Sequence, residues 1–189
     1  MAQKAEEIVI SSTNGVLKKE RKTVVENSYG KGFYDKNVMK LPINLAAETL
    51  AIFIGCMERR LHTIYPIIMT NLFGFHYGEF FKKTPAGAVS EIVFNENSGR
   101  ESELKQISIA LKAGVNTIVI CVHTDCSMDG GSSRFSSKQE EILFQWDKAE
   151  KARNMILEEF LKDYPDLVVH LVLAEIDNDE VHIIQRVRG

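Results

Sequence analysis

The sequence predicts an α/β fold. It is read as a single domain on a mostly parallel central sheet of four to five strands, with flanking helices and an antiparallel C-terminal edge strand. Three observations carry this. Residues 50–54 (LAIFI) and 117–120 (TIVI) are short, intensely apolar runs, the pattern of strands buried on both faces. A segment of helical period lies between them, and strand–helix–strand alternation implies a parallel sheet with right-handed crossovers. The last two apolar runs flank Asp177-Asn178-Asp179, a turn that joins them as a hairpin.

Taken in order, residues 1–40 are polar and mixed. They are read as an N-terminal arm with weak strand signals at Ile8-Val9-Ile10 and Thr23-Val24-Val25, suited to packing on a partner subunit. The domain is expected over 41–189, its core beginning near Leu41-Pro42. Residues 49–55 form a strand ending at Cys56. Residues 59–73 place Leu61, Ile64, Ile67, Ile68 and Leu72 at spacings that fit a helix interrupted around Pro66. Residues 79–83 are a second strand, followed by the turn Pro85-Ala86-Gly87. Residues 101–113 are a helix: Leu104, Ile107, Ala110 and Leu111 recur at helical spacing, and Gly114 suits the residue after the helix end. Residues 116–122 are the next strand. After the loop SMDGGSSRF, Ser137 and Glu140 form a capping box that opens a long helix. Its apolar stripe is Ile142, Leu143 or Phe144, Trp146, Ala149, Met155, Ile156 and Phe160, and it stops before Pro165. Residues 167–174 and 181–185 are the closing strands.

Composition narrows the function. The chain has 189 residues, 44% of them apolar, enough for one domain with a full core. Lys and Arg number 23 against 26 Asp and Glu, a formal charge of −3, which argues against a nucleic-acid partner. No apolar run approaches the roughly 18 residues that span a bilayer. The N-terminus MAQKAEEIVI lacks the apolar core of a secretory signal. Three cysteines make a poor disulfide framework and a better metal set, which points to a reducing cytoplasm.

The chemistry concentrates at two strand ends. Cys56 closes the first run, and His123 and Cys126 close another. In an open α/β sheet, sites form beyond the carboxyl ends of the strands. Two thiolates and one imidazole make a zinc set with one position left open, as catalytic zinc sites have. Alone, a cysteine after a buried strand is more often a small hydrophobe, and His-x-x-Cys is a weak pattern. The shared context strengthens both. Glu58 and Arg60, two apart in an extended segment, fall on the same side as Cys56. They are either a solvated ion pair worth little, or a carboxylate held beside the metal by an arginine fork. Cys121 is read as a buried strand cysteine, with a place behind the site as the alternative. Asp125 is read as a loop cap or hydrogen-bond acceptor, and Asp129 mainly as turn chemistry. Gly-Gly-Ser-Ser lacks the spacing and lysine of a phosphate loop. His62, His76, His170 and His182 have no ligand-like partners in sequence. The aromatic group Phe73, Phe75, Tyr77, Phe80 and Phe81 is read as core and interface packing.

Cys56-Met57-Glu58-Arg59-Arg60 and His123-Thr124-Asp125-Cys126 resemble the Cys-x-Asp-x-Arg and His-x-x-Cys motifs of the β-class carbonic anhydrases. Residues 72–88, 110–126 and 168–184 resemble that family's flanking segments, so the likeness runs over about 41–185 in order. The resemblance implies Zn2+ on Cys56, His123 and Cys126, with Glu58 and Arg60 as the catalytic dyad. It implies reversible hydration of carbon dioxide to bicarbonate by metal-bound hydroxide, in a homodimer or a multiple of dimers. Departures mark a divergent branch: Glu58 stands for aspartate, Thr84-Pro85 for Arg-Asn, Ser127 and Val122 for glycine. They leave two alternatives. One is hydrolysis of a carbon dioxide analogue, carbonyl sulfide or carbon disulfide. The other is a non-catalytic zinc protein whose fourth position is closed by Glu58 instead of water.

Overall fold

A computed structural model describes residues 4–13, 16–25, 49–96, 98–178 and 180–186. The expected core start at Leu41-Pro42 and the boundary at residue 40 lie outside the described residues, as does Asp179. The chain divides into two compact units, Met1–Leu45 and Ala46–Gly189. The first holds strands β1 (Lys4–Thr13) and β2 (Val16–Val25), paired antiparallel from Lys4 opposite Val25 to Thr13 opposite Val16. Both strands are far longer than the three-residue signals in the sequence.

The second unit is the α/β domain. Its strands are β3 (Ala51–Ile54), β4 (Phe80–Lys83), β5 (Thr117–His123), β6 (Val168–Asp177) and β7 (Glu180–Arg186). They lie in the order β4-β3-β5-β6-β7, parallel except for the last pair. Its helices are α1 (Ile64–Phe73), α2 (Ser90–Phe94), α3 (Ser98–Lys112) and α4 (Lys138–Phe160).

Period-two alternation sorts the strands' side chains into two layers. Ile52, Ile54, Ile118, Ile120, Val122, Leu171 and Leu173 pack with α2, α3 and α4. Ala51, Phe53, Val119, Cys121, Val172 and Ala174 pack with Leu61 and with Tyr65, Ile68 and Met69 of α1. Both faces are therefore covered, which is why β3 and nearly all of β5 are continuously apolar. The chain leaves β3 through α1 toward β4, and leaves β5 through α4 toward β6. The neighbours β3 and β5 thus send their crossovers to opposite sides, the arrangement that places a site beyond their carboxyl ends.

Two local expectations need correction, and one open choice is settled. Pro66 does not interrupt a helix: it is the third residue of α1, where its missing N–H has no acceptor to lose. The chain before it instead makes a separate 3-10 turn, Arg59–Leu61. The capping box of α4 is displaced by one residue. The Ser137 side chain accepts from the Glu140 amide at 3.1 Å, but Glu140 Oε2 accepts from the Ser136 amide at 2.7 Å. Of the two choices for the apolar stripe, Leu143 is 56% exposed, while Trp146, Ala149, Ala152, Ile156 and Phe160 are buried.

Candidate metal centre

The site is built where β3 and β5 end. Past β3, the amides of Gly55 and Met57 donate to the Lys83 and Pro85 carbonyls at 3.0 and 3.2 Å, so the chain stays tied to the segment after β4. The buried Tyr65 hydroxyl donates to the Cys56 carbonyl at 2.7 Å. These bonds fix the backbone of Cys56, whose thiol is buried. Gly87 donates its amide to Cys56 Sγ at 3.3 Å. Gly87 has φ of +68°, and a Cβ there would collide with the Ser90 side chain, so only glycine fits this turn.

Past β5, the chain must bring His123 and Cys126 to one side within four residues. Asp125 makes the reversal in a left-handed conformation, φ 57°. Its amide donates to Glu141 Oε1 of α4 at 2.6 Å, and Ser132 Oγ donates to Glu141 Oε2 at 2.8 Å. The Thr124 amide donates to Ala174 at 3.2 Å, and Thr124 Oγ1 accepts from the Ile176 amide at 2.8 Å. The Cys126 carbonyl accepts from the amides of Asp129 at 3.0 Å and Gly131 at 2.9 Å.

The result is a buried cluster: the ligand atoms of Cys56, His123 and Cys126 all lie within 4.8 Å of one another. Their fit to a metal ion rests on a specific atom. His123 Nδ1 donates to the Thr124 carbonyl at 2.7 Å, which leaves Nε2 as the unprotonated nitrogen. Nε2 is buried and has no hydrogen-bond partner among the described residues. A buried lone pair left unmet is costly, and a cation would satisfy it. The neighbouring Cys126 thiol holds Cys56 well below the usual thiol range, with His123 adding to the effect. The Cys56 side chain and burial push the Cys126 thiol up. A divalent cation would hold both sulfurs as thiolates. Two thiolates and an imidazole suit a borderline-soft ion.

Beside the cluster, Arg60 holds two carboxylates. Its Nε donates to Glu58 Oε1 at 2.8 Å, its Nη2 to Glu58 Oε2 at 3.2 Å, and its backbone amide also reaches Oε1 at 3.1 Å. Its Nη1 and Nη2 both reach Asp125 Oδ2 at 3.1 Å. Arg60 lowers Glu58 to about 2, and Glu58 raises Arg60. One guanidinium therefore pins the loop after β3 to the loop after β5.

The remaining candidates separate. Cys121 is buried with Phe53 and Tyr65 in the other layer, and burial pushes its thiol up to about 12. Asp129 is not merely a turn residue. It is buried, paired with Lys148, and accepts from Gln145 Nε2 at 2.9 Å. His170 packs against Phe73 and His62 against Tyr65; neither joins the cluster. Phe73, Phe75 and Phe80 pack on the core, whereas Tyr77 and Phe81 are exposed. Sequence reasoning missed Gly87, Glu141, Gln145 and Lys148. Gly87 had one usable signal, its place in a Pro-Ala-Gly turn just after a strand.

By sequence, the chain matches no family model and no curated protein. By structure, it is similar to β-carbonic anhydrases. CafA of Aspergillus fumigatus aligns with a TM-score of 0.52 and 15% identity, over 74% of this chain and 78% of that one. Isoform I of Trichomonas vaginalis aligns with a TM-score of 0.51 and 18% identity, over 79% and 90%. The β-carbonic anhydrase CcaA aligns with a TM-score of 0.50 and 16% identity, over 72% and 73%. The chain has the β-carbonic anhydrase fold, at low sequence identity to these proteins.

Proposed function

We propose that this chain is a zinc lyase that reversibly hydrates carbon dioxide to bicarbonate. The observation that carries this is the buried Cys56–His123–Cys126 cluster, with a free His123 Nε2, at the strand ends of a β-carbonic anhydrase fold. Zinc held there would supply Lewis acidity that lowers the pKa of a water molecule to about 7. The chain's own residues supply the rest. Glu58, held near 2 by Arg60, is ionised throughout the working range and serves as a hydrogen-bond acceptor that orients a reacting water. Arg60 keeps that carboxylate in place.

Both Glu58 oxygens are committed to Arg60. That supports an open fourth ligand position over one closed by Glu58. The test is zinc content and stopped-flow carbon dioxide hydration on one sample. The reading fails if zinc-loaded protein shows no hydration from neutral to mildly alkaline pH.

A second reading keeps the site and changes the substrate to carbonyl sulfide or carbon disulfide. Met57 and Met128, each close in sequence to a cysteine of the cluster, are exposed and offer apolar, polarisable side chains there. Sulfide release from those substrates separates the two readings.

We also propose a homodimer, in the cytoplasm. Ile67, Leu72, Tyr77 and Phe81 expose apolar surface on α1, on the edge strand β4 and in the segment between them, which supports the first. Three unpaired thiols support the second. Among the described residues no helix is long and apolar enough to cross a membrane.

A further inference from the structure

Lys148 is 1% exposed, in the middle of α4. A lysine so placed is costly unless its charge is paired and hydrogen-bonded. Here the Lys148 ammonium pairs with the buried Asp129 carboxylate. It also approaches the Gly87 carbonyl at 3.4 Å and Ser90 Oγ at 3.5 Å. Asp129 in turn accepts from Gln145 Nε2 at 2.9 Å and from Ser90 Oγ at 3.3 Å. Such a pair is often no more stabilising than apolar side chains of the same volume. Its placement explains it better than its energy does.

Two of the partners of Lys148, Gly87 and Asp129, lie one hydrogen bond from a cysteine of the cluster. Gly87, whose carbonyl Lys148 holds, donates its amide to Cys56 Sγ. Asp129, whose carboxylate Lys148 holds, donates its amide to the Cys126 carbonyl. The Gly87 turn needs holding: Gly87 and Ala88 are both left-handed, at φ 68° and 58°, and alanine is strained there. Ser90 Oγ donates to the same Gly87 carbonyl at 2.9 Å. Lys148 is the last member of a polar stripe on α4, Glu141, Gln145 and Lys148, on one helix face. At the top of that stripe, Glu141 holds Asp125 between His123 and Cys126.

We infer that Lys148, with Asp129 as its counter-ion, is a positioning residue that clamps the two cysteine loops to one another and sets their spacing for metal. The inference rests on the metal-site reading of Cys56, His123 and Cys126. It predicts that α4 governs how tightly and in what geometry the cluster holds its ion, without touching that ion.

The test compares the wild-type chain, Lys148→Met, and the double variant Asp129→Asn/Lys148→Met. Zinc affinity is read by competition with a chromophoric chelator. Geometry is read from the thiolate-to-cobalt charge-transfer bands after cobalt(II) substitution. Both variants are expected to bind zinc about 10- to 100-fold more weakly, the usual effect of losing support behind a ligand, with displaced or weakened cobalt bands. The double variant leaves no unpaired charge, so it keeps the test open if Lys148→Met does not fold. Wild-type affinity and cobalt bands in either folded variant overturn the inference, since a residue with a purely structural role would lower stability alone. Failure of the wild-type chain to bind zinc or cobalt overturns the metal-site reading instead.

Discussion

Arg60 gives Glu58 its chemistry. The guanidinium takes both oxygens of the carboxylate and keeps it an acceptor. Glu58→Gln keeps the shape and removes the charge. It is expected to lower kcat/KM for hydration by about 100-fold or more while zinc content stays at the wild-type level; stopped-flow assay and metal analysis check both. Gly87→Ala tests the other side of the cluster. At a φ of +68° an alanine costs about 1–2 kcal/mol, and its methyl must displace Ser90. Lower stability in denaturant titration, together with weaker zinc binding, is the expected pair of outcomes. Cys56, His123, Cys126, Glu58 and Arg60 were legible because donor chemistry at strand ends is rare and their spacings are short. Asp125 was legible only as an acceptor, since its partner Arg60 lies 65 residues away. Lys148 was illegible, because a lysine beside Glu and Gln in a helix has the pattern of a solvated face.

At the scale of elements, α4 shows both what periodicity reveals and what it hides. Its apolar stripe could be read directly, and Trp146, Ala149, Ile156 and Phe160 are buried as that stripe requires. Its second buried face, Glu141, Gln145 and Lys148, is polar, and no hydropathy pattern separates it from exposed Asp147 or Lys151. The five-residue helix α2 was missed because it is too short to express a period. The β1–β2 pair was underestimated, although Asn14-Gly15 between those strands is a strong hairpin dipeptide. The start of α4 also offers a measurement. Ser137→Ala removes the side chain that accepts from the Glu140 amide. It is expected to cost about 1 kcal/mol in a denaturant titration, with hydration per zinc unchanged.

At the scale of the whole domain, strand order decides where the site lies. With β3 and β5 adjacent and their crossovers diverging, residues 56 and 123–126 can meet nowhere else. The parallel sheet and its antiparallel edge were legible from alternation and a turn, whereas the position of β4 outside β3 was not. That order leaves β4 at the rim, with Phe81 exposed on it. If this rim is the dimer surface, Phe81→Glu is expected to shift the chain toward monomer in sedimentation velocity, while the zinc content of the protein is retained. An unchanged sedimentation coefficient would place any dimer contact elsewhere.

The Glu58–Arg60–Asp125 triad has a consequence for traffic through the site. One cation faces two anions there, so the triad carries a surplus negative charge. A divalent ion on two thiolates and a neutral imidazole would not offset it. A neutral, linear gas molecule is indifferent to such a field, but an anion leaving or approaching is repelled by it. On the proposed reaction, bicarbonate would be shed quickly and small inorganic anions would be poor competitors, less so as salt screens the field.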